Sequence, residues 1–139
     1  MFTHSIVIAL VLFGAATPAF SQAEPAKKST ITASTPTPDD RARQWLVLVD
    51  DKNYAQSWSE SGKAFQNRQK ADAWAKDAGA TRAPLGAVAS RSLKSIDLSR
   101  NNIAVIHYDS VFAHKAAAAE TVTLAFENGS WSVIDYSVN

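Results

Sequence analysis

The hydrophobic period of this chain changes once, at Pro84-Leu85-Gly86, and that change constrains the fold more than any other feature. Before it, apolar residues recur at helical spacing. Ala42, Trp45, Leu48 and Val49 make one apolar stripe, preceded by Pro38-Asp39-Asp40, whose acidic side chains suit a helix amino terminus. Asp50-Asp51-Lys52-Asn53 breaks that helix with turn-forming residues. Tyr54 and Trp58 open a second short helix that ends near Ser61-Gly62, and Phe65 lies on a further turn. Ala71, Trp74, Ala75 and Ala78 stand at offsets of a buried helix face, with Asp72 and Lys76 on its exposed side. After Gly86 the residues alternate, and four strands are predicted over residues 87–99, 103–112, 120–126 and 131–138.

Asn128-Gly129 is the strongest local signal among these strands, because a two-residue type I′ turn needs positive φ at both central positions. Asn101-Asn102 reads as a similar turn. Short joins favour antiparallel neighbours, so the strands should form a meander. The expected class is α+β: three N-terminal helices packed on a curved four-stranded antiparallel meander. The Asn-Gly turn also implies a register. It sets Phe126 opposite Trp131, Leu124 opposite Val133 and Val122 opposite Asp135, all facing the helices. Ile134, Tyr136 and Val138 then point away, as an apolar outer face suited to a protein partner or a weak homodimer.

Ahead of the domain, residues 1–23 read as an export signal. The apolar run of residues 6–16 is too short to span a hydrocarbon core of ~30 Å but fits a signal h-region. Small residues follow it, and cleavage is expected after Ala23, with Ser21 as second choice. The rival reading, an uncleaved anchor, suits the short, proline-broken run less well. Residues 24–38 carry Pro25, Pro36 and Pro38 among Lys, Ser and Thr, with almost no large apolar side chain, and read as a linker. Residues 39–139 form the single domain. All Lys, Arg, Asp and Glu residues follow the signal, so the net charge of +1 belongs to the exported protein. That balance argues against nucleic acid as a partner and against stable membrane insertion after cleavage. The chain has no cysteine, which removes disulfides, thiol catalysis and thiolate metal sites; four tryptophans and a 46% hydrophobic fraction must supply the core. The expected location is the periplasm.

Few residues suggest chemistry. His107 and Asp109 share a strand face without a third ligand, and read as a solvated face. Ser59-Glu60-Ser61-Gly62 lacks the strand and base of a nucleophile loop. Asn128-Gly129-Ser130 is formally a glycosylation acceptor and reads as the hairpin turn. The alanine run at residues 116–119 reads as a loop or short helical turn, with Lys115 and Glu120 at its base. Arg82 and Arg91 bracket the helix-to-sheet crossing, with Asp135 on the expected inner face. They suit either a grip on a polar or anionic ligand or a structural ion pair between helices and sheet.

The run Arg82-Ala83-Pro84-Leu85-Gly86 with Ser90-Arg91 resembles a family of small bacterial exported proteins catalogued as domain of unknown function 4019. Phe112-Ala113-His114-Lys115, Glu120-Thr121-Val122-Thr123-Leu124 and Glu127-Asn128-Gly129-Ser130-Trp131 resemble it too, as does Trp45-Leu46 before Tyr54 and Trp58. The likeness covers nearly all of residues 39–138, with one departure: Asp135 stands where the pattern has a glycine before Tyr136. It implies an exported one-domain protein and brings no activity. The order of elements also looks like the nuclear-transport-factor-like or cystatin-like cone, a fold that hosts binders, enzymes and inhibitors alike. Two functions remain. The favoured one is a non-catalytic envelope module binding an unidentified small ligand or an envelope protein, without cofactor or metal, with Arg82, Arg91, Tyr108 and Asp135 as ligand contacts. The alternative is a small cofactor-free enzyme with Asp135, Tyr108 and Arg91 in a pocket between helices and sheet.

Overall fold

The computed structural model describes residues 34–139; the signal and most of the linker expected from the sequence lie outside the described residues. Four helices precede four strands: α1 (Pro38–Asp50), α2 (Tyr54–Ser59), α3 (Lys63–Arg68) and α4 (Ala71–Arg82), then β1 (Val88–Asp97), β2 (Ile103–Phe112), β3 (Lys115–Glu127) and β4 (Ser130–Val138). The sheet is antiparallel in the order β1-β2-β3-β4, as the short joins require. The helical half thus holds four helices rather than three, since the turn around Phe65 closes into α3. Among the described residues, no helix is long and apolar enough to cross a membrane.

Local chemistry sets the helix ends. Thr37 caps α1: its hydroxyl accepts from the Asp40 amide at 3.1 Å, and Asp40 Oδ2 accepts from the Thr37 amide at 3.0 Å. Pro38 occupies the first turn, where a missing amide hydrogen breaks no helical bond. At the other end, Lys52 takes φ 61° and turns the chain toward α2.

The helices lay their apolar faces on one side of the sheet. Trp45 and Leu46 of α1, Phe65 of α3 and Trp74 of α4 meet Ile106, Val122, Leu124 and Val133 in one core. Trp45 is the hub, with ring centroids 6.0 Å from Phe65, 5.7 Å from Trp74 and 5.5 Å from Tyr136. Its indole N–H donates to the Ser57 carbonyl at 2.8 Å, and the Trp74 N–H donates to Ser57 Oγ at 2.9 Å. Fully buried Ser57 therefore serves both indoles, which would otherwise lose their hydrogen bonds to water without replacement.

The Asn-Gly hairpin forms as expected, with φ 52° at Asn128 and 80° at Gly129, and it pairs Phe126 with Trp131 and Leu124 with Val133. Beyond that point the expected register fails. Thr123, not Val122, pairs with Asp135, and Val122 pairs with Tyr136, because Ile134 is an extra residue in β4. The bulge sits where α3 grips the strand: the Gly62 amide donates to the Val133 carbonyl at 2.7 Å, and Arg68 donates to the Ile134 carbonyl. One inserted residue reverses every later side chain. Asp135 turns out to solvent and pairs with Arg68 at 2.9 Å, whereas Tyr136 turns in against Trp45 and Trp74. Ile134, Tyr136 and Val138 therefore share no outer face.

The alanine run is strand rather than loop. Residues 116–119 continue β3, with Ala118 opposite Ser110 and Ala119 opposite Asp109. The hairpin closes earlier, at Ala113-His114, where the Ala113 amide donates to the Ala87 carbonyl (2.8 Å) and the His114 amide to the Leu85 carbonyl (2.9 Å). Pairing with β2 overrides the helix preference of alanine. Gly86 makes this junction possible: it holds φ 75°, and a Cβ there would lie 2.8 Å from the His114 ring.

Candidate functional site

The most polar part of the interior lies where the carboxyl ends of α1 and α4 meet β1 and β3. Asp50 ends α1, Arg82 ends α4, Arg91 points inward from β1, and Glu120 points inward from β3. Two cations and two anions thus converge, with side-chain exposures of 7% for Arg82, 11% for Arg91, 15% for Asp50 and 0% for Glu120. Glu120 accepts from Arg91 Nε at 2.6 Å, Arg91 Nη2 at 3.1 Å, Arg82 Nη1 at 3.2 Å, Ser110 Oγ at 2.5 Å and Tyr136 Oη at 2.6 Å. Asp50 accepts from Arg91 Nη1 at 2.9 Å and Nη2 at 3.1 Å, and from Arg82. Arg82 Nη1 also donates to Tyr136 Oη at 2.9 Å, and its guanidinium lies 4.8 Å from the Phe112 ring centroid.

This arrangement keeps Glu120 and both arginines charged. Burial alone would raise the Glu120 carboxyl, but the hydrogen bonds from Arg91, Ser110 and Tyr136 outweigh it and hold the group below its ordinary 4.5. Burial works against the Arg91 charge, yet the bonds to Asp50 and Glu120 keep its pKa raised. Burial pushes the Tyr136 hydroxyl up, helped by the Glu120 charge, so it stays a proton donor. Hydrogen-bonded pairs of this kind hold a helix layer and a sheet in one relative position.

Beside the network a pocket of about 310 Å³ opens between α1, α2, α4 and the start of β1. Val49, Tyr54, Gly79, Ala83, Gly86 and Ala87 make its largely apolar wall, while Asp50, Arg82 and Lys52 supply its polar groups. Pockets of this size with few polar groups suit small ligands. A second cleft of about 450 Å³ joins α3 to the outer sheet face at Val105, Thr123 and Asp135. It is spanned by the exposed Arg68–Asp135 pair, which leaves that arginine and carboxylate engaged with each other.

The structure brings together only part of the set expected from sequence. Arg82 and Arg91 are neighbours through Asp50 and Glu120. Tyr108 is inward-facing and fully buried, but its hydroxyl donates to Asp39 Oδ1 at 2.6 Å, with the Arg43 guanidinium 5.3 Å from its ring centroid. Asp135 is outside the network because of the Ile134 bulge. His107 faces away from the helices and contacts Thr121 at 3.0 Å, and Asp109 on the same face pairs with Lys94 at 3.1 Å. The carboxylates that serve the arginines, Asp50 and Glu120, were missed, although both had a signal. Glu120 has the strand parity of Val122 and Leu124, and Asp50 follows Leu46 by one helical turn.

A helical layer over a four-stranded antiparallel sheet, with a polar cluster and a small pocket at one end, defines an α+β domain. The fold matches the crystal structure of a candidate NTF2-like transpeptidase from Campylobacter jejuni, with TM-score 0.50 and 18% identity over 70% of this chain and 97% of that one. At that identity the likeness concerns the fold alone. The protein family of unknown function DUF4019 matches residues 41–136, and this chain belongs to it. No curated protein matches.

Proposed function

We propose that this protein is an exported, non-catalytic binding module that holds a small ligand in the pocket between the carboxyl ends of α1 and α4. The pocket itself carries the reading: about 310 Å³ of space, an apolar wall including Tyr54, Ala83 and Ala87, and Asp50 and Arg82 anchored by the network behind it. Anchoring matters because preorganised polar groups lose little entropy when a ligand arrives. The network favours binding over proton transfer. Its carboxylates are spent on arginines, and its tyrosine hydroxyl donates to Glu120, so no free base stands beside a free acid. The export part rests on the signal-like composition of residues 1–23.

Native mass spectrometry of the protein purified from the envelope of the cells that make it tests both parts. The expected result is a chain beginning at Glu24 that carries a small-molecule adduct, and the adduct should vanish in Gly79→Leu. The Cβ at position 79 would meet only Tyr54 Cε2, at 3.8 Å, so the new side chain has room to enter the pocket. A bare mass from freshly isolated protein would refute the binding reading, and a full-length mass would refute processing.

A further inference from the structure

We infer that the ligand of this pocket carries one negative charge on a small apolar body, in the manner of a short-chain or aromatic carboxylate; the inference rests on the pocket reading above. Three observations carry it. The first is a donor without an acceptor. Arg82 is 93% buried as a side chain and lines the pocket, and its Nη1 and Nη2 atoms are bound to Glu120, Tyr136 and Asp50. Those bonds use three of its five N–H donors, so among the described residues its Nε–H and one Nη2–H have no hydrogen-bond partner and remain for an incoming acceptor.

The second observation is charge. Of the charged residues lining the pocket, Asp50 is already bound by both arginines, whereas Lys52 makes no ion pair among the described residues. Asp50 and Arg82 cancel, as do Arg91 and Glu120 behind them, which leaves the Lys52 ammonium as the uncompensated charge of the lining. The carboxyl ends of two helices lie nearby and oppose an anion, so the Lys52 charge has to outweigh them. Lys52 also sits at φ 61°, where glycine or asparagine is the easier residue, so the rim holds a lysine at a backbone position that does not favour one.

The third observation is size and shape. About 310 Å³ equals roughly ten water volumes, enough for a body of modest length but not for a lipid or a folded peptide. Tyr54 and the small side chains of Ala83 and Ala87 give that body an apolar bed, with Gly79, where a Cβ would meet only Tyr54, letting it approach backbone closely. One carboxylate oxygen then accepts from Arg82 Nε, while Lys52 closes over the other from solvent. An acid with a single charge fits; a phosphate with two would leave one charge uncompensated.

Isothermal titration of the purified protein with hexanoate, hexylamine and 1-hexanol separates charge from apolar fit. Saturable binding of hexanoate, at least tenfold tighter than either other probe, is expected. Lys52→Gln should weaken hexanoate tenfold or more and leave hexanol unchanged, while Lys63→Gln, the same charge change on exposed α3, should leave hexanoate unchanged. Gly79→Leu should abolish all binding with the far-ultraviolet spectrum intact. If hexylamine or hexanol binds as well as hexanoate and Gly79→Leu still blocks it, the anion inference falls and the pocket reading stands. If no probe binds while a small molecule still co-purifies, the inference again falls alone. If no probe binds and nothing co-purifies, both fall.

Discussion

The two ends of the helix–sheet interior are held by different forces. At one end Trp45, Phe65 and Trp74 pack edge to face, with centroids 4.9 Å apart for Phe65 and Trp74, and the indole N–H groups end on Ser57. At the other end Glu120 is fully buried among two arginines, a serine and a tyrosine. The aromatic end draws its stability chiefly from apolar area and close packing. The polar end depends on pairing: remove one partner and a charge is left in a low-dielectric site with nothing to answer it. Tyr136 belongs to both, since its ring packs at a tilt against Trp45 and its hydroxyl donates to Glu120. The pocket opens at the polar end, beside the fixed charges of Asp50 and Arg82, and not among the packed aromatic rings.

Removing the hub ring should have the largest effect. Trp45→Ala is expected to cost about 4–5 kcal/mol in urea denaturation, because it empties a fully buried site that touches three other rings. A loss under 2 kcal/mol would mean that the aromatic end is not the main source of stability. Glu120→Gln should cost about 3 kcal/mol by leaving Arg91 and Arg82 short of one charge. Replacing Arg91 and Glu120 together by Met and Leu should recover most of that loss, whereas no single replacement at either position should. Failure of the double variant to recover would show that the network positions the layers as well as cancelling charge.

Acid separates the two ends without mutation. Glu120 has a lowered native pKa, so its contribution is fully present above about pH 4.5 and is lost as the pH falls below that value toward the native one. Stability measured from pH 7 down to pH 3 should therefore fall more steeply in the wild type than in Glu120→Gln. Parallel curves would break the assignment. Gly86→Ala should cost about 1–2 kcal/mol, since φ 75° disfavours alanine and its Cβ would press on His114 and Ala113. The smallest effect has the opposite sign. Gly79→Ala should add about 0.5–1 kcal/mol, because the position is helical and its Cβ finds ordinary contact at 3.8 Å. Any destabilisation there would mean that the space beside Tyr54 is not open.

Much of this architecture was legible in the residues alone. The apolar stripes of α1 and α4, the break at Asp50-Asp51-Lys52-Asn53, the Asn-Gly hairpin and the order of strands all arise from interactions a few residues apart. The two arginines were legible as a helix-to-sheet contact, because they flank the crossing from the helices to the sheet. Their partners were not. Asp50 looked like part of a turn because its carboxylate meets arginines 32 and 41 residues away, beyond the reach of any local pattern. The alanines of β3 carry a helix preference that only pairing with β2 reverses.

The sequence by itself determined the helices α1 and α4, the order of the strands, where the last hairpin turns, and that Trp45 and Trp74 are buried. Only the tertiary structure decided which side of β4 faces the core beyond Val133. Alternation is a local property, and a period of two carries Asp135 inward and Tyr136 outward. The grip of α3 on the Val133 and Ile134 carbonyls accommodates one extra residue, and every side chain after it changes face. That contact joins residues about seventy positions apart, with Gly62 and Arg68 on one side and β4 on the other. Tyr136 reached Glu120 for that reason, and Asp135 did not.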